Sequence, residues 1–478
     1  MTLATKPLFL SFNRKVYALS FIFIFAISLW LLPIPFGLTA KGIHLFALFM
    51  ATIVSIIIKV LPIGTIAILS LTVAMLTHTL SMEEALSGFS HDIVWLVVVS
   101  FFIAKGFIKT GLGARIAHLS LQLMGKSTLG LSYGMVLADL ILAPAIPSVT
   151  ARTGGILFPI LSSLCKSLGS EPFTPSHRKI GAFLITMIFQ SSVITSAMFV
   201  TSMAANPFIT RLAGEAGIFI SWGKWAIAAL LPGLLSLLIT PYLIYLLYPP
   251  EIRYHPYAKD FAKRKLQEQG KMRRKEWLML LCFLSLLVLW IFGSSFGVTA
   301  SQTAFIGVSF LLVSGVLEWQ DIIEEKTAWD TFIWFGVLVT LSSYLNKLGL
   351  TYWFSQAIVG SISGYSWVVG FGCLSLLYFY SHYFFASSVA HVGAMYTPFL
   401  LVSLAIGTPP MLAAFILAFF SSLFGGLTHY GSGPAPLLFG SGYVPIGWWW
   451  KIGGIISIVN ILLWGIIGVF WWKILGLF

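Results

Sequence analysis

The sequence predicts an all-α polytopic membrane protein built from two repeats, and three observations point to that class. Hydrophobic residues make up 58% of the 478 positions and charged residues only 9%, against roughly 25% charged residues in soluble globular proteins. Many apolar runs approach the length of about 20 residues that a helix needs to cross a bilayer. One polar segment near the middle separates two halves that carry matching markers. A water-soluble single-core protein is thereby excluded.

The polar segment 249–276 divides the chain into a first repeat, residues 1–248, and a second repeat, residues 277–478. This linker carries nine Lys and Arg residues, and the positive-inside rule assigns such a segment to the cytoplasm. Three basic residues precede the first apolar run, so we expect a cytoplasmic N-terminus as well. The net charge of +13 therefore reflects membrane topology, and we expect no nucleic-acid partner.

No Arg- and Ser-rich transit peptide is evident ahead of the first apolar run, which itself shows no obvious cleavage site. We interpret that run as a retained span. The expected location is the bacterial inner membrane, with the plastid inner envelope as the alternative.

Three markers recur at nearly constant spacing in the two halves. Trp95 recurs as Trp334 after 239 residues, and Lys109 recurs as Lys347 after 238 residues. The polar tips described next give an offset of 239 again. Such repeats are typical of secondary transporters, whose substrates bind near the midplane of the bilayer between the repeats. The alternatives are a channel and two diverged helix bundles without functional pairing.

The first polar tip interrupts an apolar stretch with prolines, hydroxyls and a glycine pair. Pro144 ends the preceding helix, and Ser148 or Thr150 can cap the helix that follows. A new helix N-terminus presents unpaired N–H groups and a partial positive charge, which suits a carboxylate. Since irregular backbone at membrane depth must be buried in protein or line a wet cavity, we predict a re-entrant hairpin here.

The second tip repeats the Ser-x-x-Ala core of the first, starting at Ser387. Each tip is followed by a residue that can carry positive charge, Arg152 or His391. Two such tips match the two carboxylates of one substrate, so a dicarboxylate is predicted. For Arg152, a structural ion pair with Asp139 is an equal alternative. For His391, the alternative is a neutral, hydrogen-bonded core histidine.

Farther along each half lies a second interrupted stretch, residues 200–207 and residues 428–436. Thr and Pro occur in both stretches, which indicates broken transmembrane helices. The candidate substrate-binding residues of the tips and broken helices are Ser148, Val149, Thr150, Thr201, Asn206, Pro207, Ser387, Ser388, Val389, Thr428 and Pro434.

Three stretches, residues 142–155, 199–207 and 385–391, resemble the divalent anion/sodium symporter family. Within it, they are most similar to the branch of citrate carriers and 2-oxoglutarate/malate translocators. The resemblance covers nearly the whole chain. It implies two inverted repeats, each with a re-entrant helical hairpin and a broken transmembrane helix. It also implies a homodimer and elevator-type alternating access.

In that family, each tip carries a Ser-Asn-Thr-like triplet that binds substrate carboxylates and helps to form sodium sites. The matching triplets here are residues 148–150 and 387–389, and neither has the central Asn. Val149 offers no oxygen to a hard cation. We therefore expect no cofactor and, for sodium, only a weak candidate site at Ser148 and Ser387. This departure fits the branch whose members exchange one dicarboxylate for another.

The sequence thus predicts a secondary transporter, and not an enzyme, for small dicarboxylates such as 2-oxoglutarate, malate, succinate or fumarate, working by exchange. The alternative within transport is a sodium-coupled dicarboxylate or citrate symporter. The alternative from another class is an anion channel. A membrane-embedded hydrolase has little support in the sequence, because it shows no paired catalytic carboxylates and no His-metal spacing.

Overall fold

The computed structural model describes residues 12–35, 37–254, 257–350, 353 and 366–478. These parts of the chain form helices and connecting loops, with one isolated antiparallel bridge between Ser127 and Tyr254. The helices before the linker are α1 Phe12–Trp30, α2 Ala40–Ile58, α3 Ile63–Leu76, α4 Met82–Leu86, α5 Asp92–Thr110, α6 Leu112–Met124, α7 Thr128–Leu142, α8 Phe158–Ser167, α9 Gly181–Met198, α10 Ala205–Glu215 and α11 Trp222–Leu247.

The linker holds one helix, and in the described residues α13, α14, α15 and α16 follow one another with nearly the same lengths as α2, α3, α4 and α5. The helices from the linker onward are α12 Tyr257–Gln269, α13 Arg274–Phe292, α14 Ala300–Val313, α15 Trp319–Glu324, α16 Lys326–Lys347, α17 Trp367–Tyr380, α18 Ser388–Ala405, α19 Pro410–Leu423, α20 Ala435–Gly440 and α21 Ile446–Ile474.

In the described part of the chain, eight helices are long and apolar enough to cross a membrane: α2, α5, α9, α11, α13, α16, α18 and α21. Every residue of α9 is buried, so this helix lies at the centre of the molecule. The other spans keep part of their surface exposed, as helices in contact with lipid do. The all-α polytopic class predicted from composition is confirmed.

Local sequence explains where several of these helices begin and end. The Thr39 side chain accepts a hydrogen bond from the backbone of Gly42 at the start of α2. Ser221 caps α11 in the same manner. Gly111, at φ +78°, ends α5, because a left-handed residue at that position stops the helix at little cost only when it is glycine.

The helices α5 and α16 occupy equivalent positions in the two halves and pack against each other. Lys109, near the end of α5, reaches Asp321 at 2.6 Å and Glu318 at 3.1 Å, and both acidic residues precede α16. The backbone of Gly88, which precedes α5, donates to Thr340 in the second half of α16 at 3.0 Å. Equivalent helices therefore run in opposite directions, and the two repeats are inverted.

The helices pack as two groups. One group contains α2, α3, α5, α13, α14 and α16, and the other contains α7, α9, α11, α19 and α21. Helix α6 contacts α7 of the second group and also the linker helix α12. The hairpins and broken helices, and with them most candidate substrate-binding residues, belong to or adjoin the second group.

Candidate functional site

The first tip is a break between two helices, with a serine cap at its far side. Helix α7 ends at Leu142, and helical structure resumes at Val149. The Ser148 hydroxyl accepts a hydrogen bond from the backbone N–H of Ala151 at 3.1 Å, and its carbonyl accepts from Arg152 at 2.9 Å. Of the two predicted caps, Ser148 and Thr150, Ser148 is the one that caps the helix.

The second tip repeats this geometry. The Ser387 hydroxyl accepts from the backbone N–H of Ala390 at 3.4 Å, and its carbonyl accepts from His391 at 3.1 Å. All three residues are offset by 239 positions from their counterparts at the first tip. Both tips are thus N-termini of helices that a serine hydroxyl caps, and that cap position leaves the hydroxyl proton available to a ligand.

The two tips approach the same backbone segment, which lies in the broken helix of the second repeat. Thr150 of the first tip lies so close to Gly433 that a Cβ atom added there would collide with its hydroxyl. Ser388 of the second tip places its Oγ 3.5 Å from the carbonyl of Gly431. Since these glycines are two residues apart, their Cα atoms are separated by at most about 7.6 Å. The fold therefore brings residues of both repeats together around this segment.

The segment itself is the predicted break between α19 and α20, and it contains two buried hydroxyls without partners. Thr428 is fully buried, and among the described residues neither its Oγ1 nor the Oγ of Ser432 has a hydrogen-bond partner. A buried hydroxyl with no partner is destabilising, so both are candidates for contact with a polar ligand. The nearby Pro434 is buried. Ser432 was not singled out by the sequence, although it lies inside the predicted broken stretch.

The hydroxyl of Thr201, in the broken helix of the first repeat, is engaged by protein groups. It donates to the carbonyl of Pro144 at 2.5 Å and accepts from the indole N–H of Trp222 at 3.1 Å. These bonds join the broken helix to the first tip. The structure thus places Thr201 behind the tip as a support.

Asn206 holds the same break from its other side. Its amide Nδ2 donates to the carbonyls of Ser196 at 2.7 Å and Phe199 at 2.8 Å, while its Oδ1 accepts from Ser422 at 3.3 Å. The next residue, Pro207, is buried in the first turn of α10. The amide therefore satisfies the carbonyls that the interruption of α9 leaves free.

Arg152 is fully buried, and each of its nitrogens is bonded to protein. Its Nε donates to Asp139 at 2.6 Å, its Nη1 to the carbonyls of Ile146 and Ser202 at 3.0 and 3.2 Å, and its Nη2 to Thr195 at 3.1 Å. Of the two interpretations of Arg152, the structural ion pair is the one that the structure contains.

His391 is also fully buried, and its contacts are with hydroxyls and rings. Its Nε2 lies 3.1 Å from the Ser381 hydroxyl, and its Nδ1 lies 3.0 Å from Nδ1 of His382. The Nε2 of His382 lies 2.7 Å from the carbonyl of Gly431. A chain of two imidazoles thus connects the second tip to the segment that both tips approach.

Val149 and Val389, the central and last residues of the two triplets, lie partly buried in the first turns after the caps. Neither side chain has an oxygen. The Ser148 and Ser387 hydroxyls already accept a backbone N–H, and hard cations require about six oxygen ligands. The side chains of the tips therefore provide few ligands for a sodium ion.

Comparison with known proteins agrees with this architecture. Residues 13–478 match the family described as "Sodium:sulfate symporter transmembrane region". A Bacillus subtilis (strain 168) protein named "Putative malate transporter YflS" is 55% identical over 450 residues, which are 94% of each chain. "Dicarboxylate transporter 1, chloroplastic" of Arabidopsis thaliana is 49% identical over 94% of this chain and 81% of that one.

A more distant relative, the "L-tartrate/succinate antiporter" of Shigella sonnei (strain Ss046), is 34% identical over 93% of this chain and 95% of its own. Among solved structures, the YdaH transporter of Alcanivorax borkumensis aligns with a TM-score of 0.52 at 12% identity, over 97% of this chain and 98% of that one. At that identity the likeness concerns the fold alone. From the match over residues 13–478 and these relatives, the chain belongs to the sodium:sulfate symporter family of membrane proteins.

Proposed function

We propose that this protein is a secondary transporter that exchanges small dicarboxylates across a membrane. The observation that carries the proposal is the approach of two serine-capped helix N-termini, one from each repeat, to the segment around Gly431 and Gly433. Each N-terminus offers backbone N–H groups and a partial positive charge to one carboxylate. A substrate with a carboxylate at each end matches both tips at once.

Within this proposal, the candidate residues have two different tasks. The tips and the broken segment of the second repeat bind the substrate, through Ser148, Val149, Thr150, Ser387, Ser388, Val389, Thr428 and Pro434. Thr201 and Asn206 hold the first broken helix, because their polar groups are bonded to protein, and Pro207 is buried in the first turn of α10 next to Asn206. Arg152 and His391 stabilise the tips and do not contact the substrate.

The substrate class is supported by the printed names of the relatives, which refer to malate, dicarboxylates, tartrate and succinate. We assign 2-oxoglutarate, malate, succinate and fumarate as the substrates to test first. Their common feature is a short carbon chain with a carboxylate at each end.

Exchange follows from the electrostatics of the tips. A loaded site compensates the partial positive charge of two helix N-termini, so the loaded protein can move its site through the apolar membrane interior. An empty site leaves these charges and the unpartnered hydroxyls of Thr428 and Ser432 uncompensated. Return without a substrate is therefore slow, and each import is coupled to an export.

The two packing groups support an elevator movement. In this proposal the group of α7, α9, α11, α19 and α21, with both hairpins, slides against the group of α2, α3, α5, α13, α14 and α16. The repeats are residues 1–248 and 277–478, joined by the linker 249–276. The protein works as a homodimer in a bacterial inner membrane, with its N-terminus and linker in the cytoplasm.

A sodium-coupled symporter is the second candidate, because the matched family is described as a sodium:sulfate symporter. The triplets make sodium coupling less favourable, because the side chains of Val149 and Val389 supply no oxygen ligand for a sodium ion. Exchange and sodium coupling give opposite results in the same assay.

The assay is uptake of labelled 2-oxoglutarate into proteoliposomes that are either empty or preloaded with malate, with and without an inward sodium gradient. We expect uptake only into preloaded vesicles, indifferent to sodium. Sodium-dependent uptake into empty vesicles would establish the symporter instead. Conductance in a planar bilayer without counter-substrate would establish a channel.

A further inference from the structure

A basic surface on the linker lies outside the set of candidate substrate-binding residues. It is formed by Lys259 and Lys263 on α12 and by Lys271, Arg274 and Lys275 around the start of α13, and all five residues are exposed. We call these five residues the basic platform. The linker helix that carries part of this platform is packed against α6, so the basic side chains have a defined arrangement.

Arg115 of α6 fixes the turn between α12 and α13. Its Nε and Nη2 donate to the two carboxylate oxygens of Glu276 at 2.8 and 3.2 Å, and its Nη1 donates to the carbonyl of Gly270 at 3.0 Å. Arg115 and Glu276 are both buried. A bidentate pair of this kind sets orientation as well as distance, so the two halves of the basic platform keep a defined arrangement.

Helix α12 packs its apolar face onto α6 and thereby turns its lysines outward. Ala258, Phe261 and Ala262, which follow helical spacing, are buried. A Cβ atom added to Gly125 at the end of α6 would lie 3.6 Å from the backbone N of Lys259, so the two backbones approach closely. The lysines are consequently excluded from the interior.

The basic platform lies where an apolar span enters the membrane. Directly after Lys275, α13 becomes apolar, and its Trp277 and Leu281 are 58% and 54% exposed, as lipid-facing residues are. Near the start of the linker, Tyr254 is 72% exposed. Aromatic residues such as Trp277 and Tyr254 are enriched at the headgroup level of membranes. The position of Trp277 directly after Lys275 thus indicates that this end of α13 lies near the headgroup level.

Two of the four carboxylates of the linker are paired with other residues. Glu276 is bound to Arg115, and Glu268 is paired with Lys265 at 2.7 Å. Asp260 and Glu251 are the remaining acidic residues of the segment. The basic platform therefore keeps a positive excess that faces the bilayer surface.

We propose that the basic platform binds the headgroups of anionic phospholipids. Clusters of Lys and Arg next to a membrane span attract anionic lipids strongly, and the rigid attachment to α6 preserves the arrangement of this cluster. This proposal does not depend on the transported substrate.

The test uses the full-length protein in a neutral detergent, titrated with phosphatidylglycerol or phosphatidylcholine, with bound lipid counted by native mass spectrometry. The platform variant is the triple substitution K271Q/R274Q/K275Q. The matched control is K41Q/K224Q/K347Q, which removes three lysines of α2, α11 and α16 that do not belong to the basic platform. Size-exclusion chromatography and thermal unfolding in detergent verify that each variant is folded.

We expect the wild type and the control to bind phosphatidylglycerol in preference to phosphatidylcholine, and the platform variant to lose roughly 100-fold in affinity for phosphatidylglycerol. Unchanged affinity in the platform variant, an equal loss in both variants, or equal binding of the two lipids by the wild type would each overturn the proposal. A platform variant that fails to fold is replaced by the single variants K271Q and K275Q, each expected to lose roughly fivefold.

Discussion

At the first tip a buried ion pair joins the hairpin to the helix before it, whereas the second tip has a tyrosine and a histidine at the same two positions. Asp139 corresponds to Tyr378 and Arg152 to His391, each after 239 residues. The carboxylate of Asp139 lies 2.6 Å from Arg152, while the ring of Tyr378 stacks on that of His391 with centroids 4.8 Å apart. The same backbone geometry is thus stabilised by an ion pair at the first tip and by ring stacking at the second tip.

In each repeat a hydroxyl on the helix before the break also bonds to the residue at the first of these positions. Thr195 of α9 donates to Asp139 at 2.5 Å, and Ser421 of α19 lies 2.7 Å from the Tyr378 hydroxyl. What both repeats require is a polar link between the helix before the hairpin and the helix before the break. The first repeat makes that link with buried charges, which are costly when one partner is lost, and the second repeat makes it with groups that are less costly to change.

The largest effect is expected from Asp139→Asn, which leaves the Arg152 guanidinium buried without a carboxylate. Breaking a buried pair in this manner costs about 3–5 kcal/mol, so the free energy of unfolding in detergent should fall by that amount. Asp260→Asn on the exposed side of α12 is the control and should change stability by less than about 0.5 kcal/mol. A loss as small as the control's would show that the ion pair is dispensable.

A comparably large effect on transport is expected from Gly433→Ala. The new methyl group would collide with the Thr150 hydroxyl and push the first tip away from the segment that both tips share. Displacement of about 1 Å at a working site can cost roughly 100-fold in rate. Gly155→Ala, on the hairpin that carries Thr150 and with open space around the new Cβ, is the matched control for the exchange assay. Normal exchange in Gly433→Ala would contradict the proposed approach of the tips.

An intermediate effect is expected from Ser148→Ala and from Ser387→Ala. Each variant loses a hydroxyl next to a charged ligand, which should weaken dicarboxylate binding by about 1.5–3 kcal/mol. Ser→Thr at either position keeps a capping hydroxyl and serves as the control. Binding is measured by calorimetry on purified protein. Unchanged affinity in both alanine variants would remove the tips from the binding site.

The smallest effect is expected from Tyr378→Phe, which removes only the bond to Ser421. Ser421 keeps its other bond, to the carbonyl of Leu417 at 2.7 Å, so the loss in unfolding free energy should be about 0.5–1.5 kcal/mol. Thermal unfolding alongside Asp139→Asn gives the comparison directly. Equal destabilisation of the two variants would mean that charge makes no difference between the repeats.

Much of the fold could be predicted because its determinants are local. Pro144, Ser148 and Ser387 mark the breaks and the caps through the backbone atoms of their immediate neighbours. The constant offset of 239 residues links the two tips before any contact is known. The interrupted stretch at residues 428–436 was likewise predictable, and the structure confirms its position between α19 and α20.

Other features depend on contacts between distant parts of the chain. Nothing in the neighbourhood of Thr201 or Asn206 distinguishes a ligand-binding side chain from one that supports the backbone, and only the partners of their polar atoms made the distinction. Ser432 cannot be predicted for the same reason, because a lone serine in a loop becomes informative only when its hydroxyl is buried without a partner among the described residues.

The sequence by itself determined the membrane class, the two repeats and the positions of the helix breaks. These follow from hydropathy and from the need of every backbone group in the bilayer to find a hydrogen-bond partner, which are properties of short segments. The tertiary structure decided that both tips approach the segment around Gly431 and Gly433, and that Arg152 is bound to Asp139. Those outcomes depend on which distant side chains pack together, and packing between helices is set by the shape of the whole bundle.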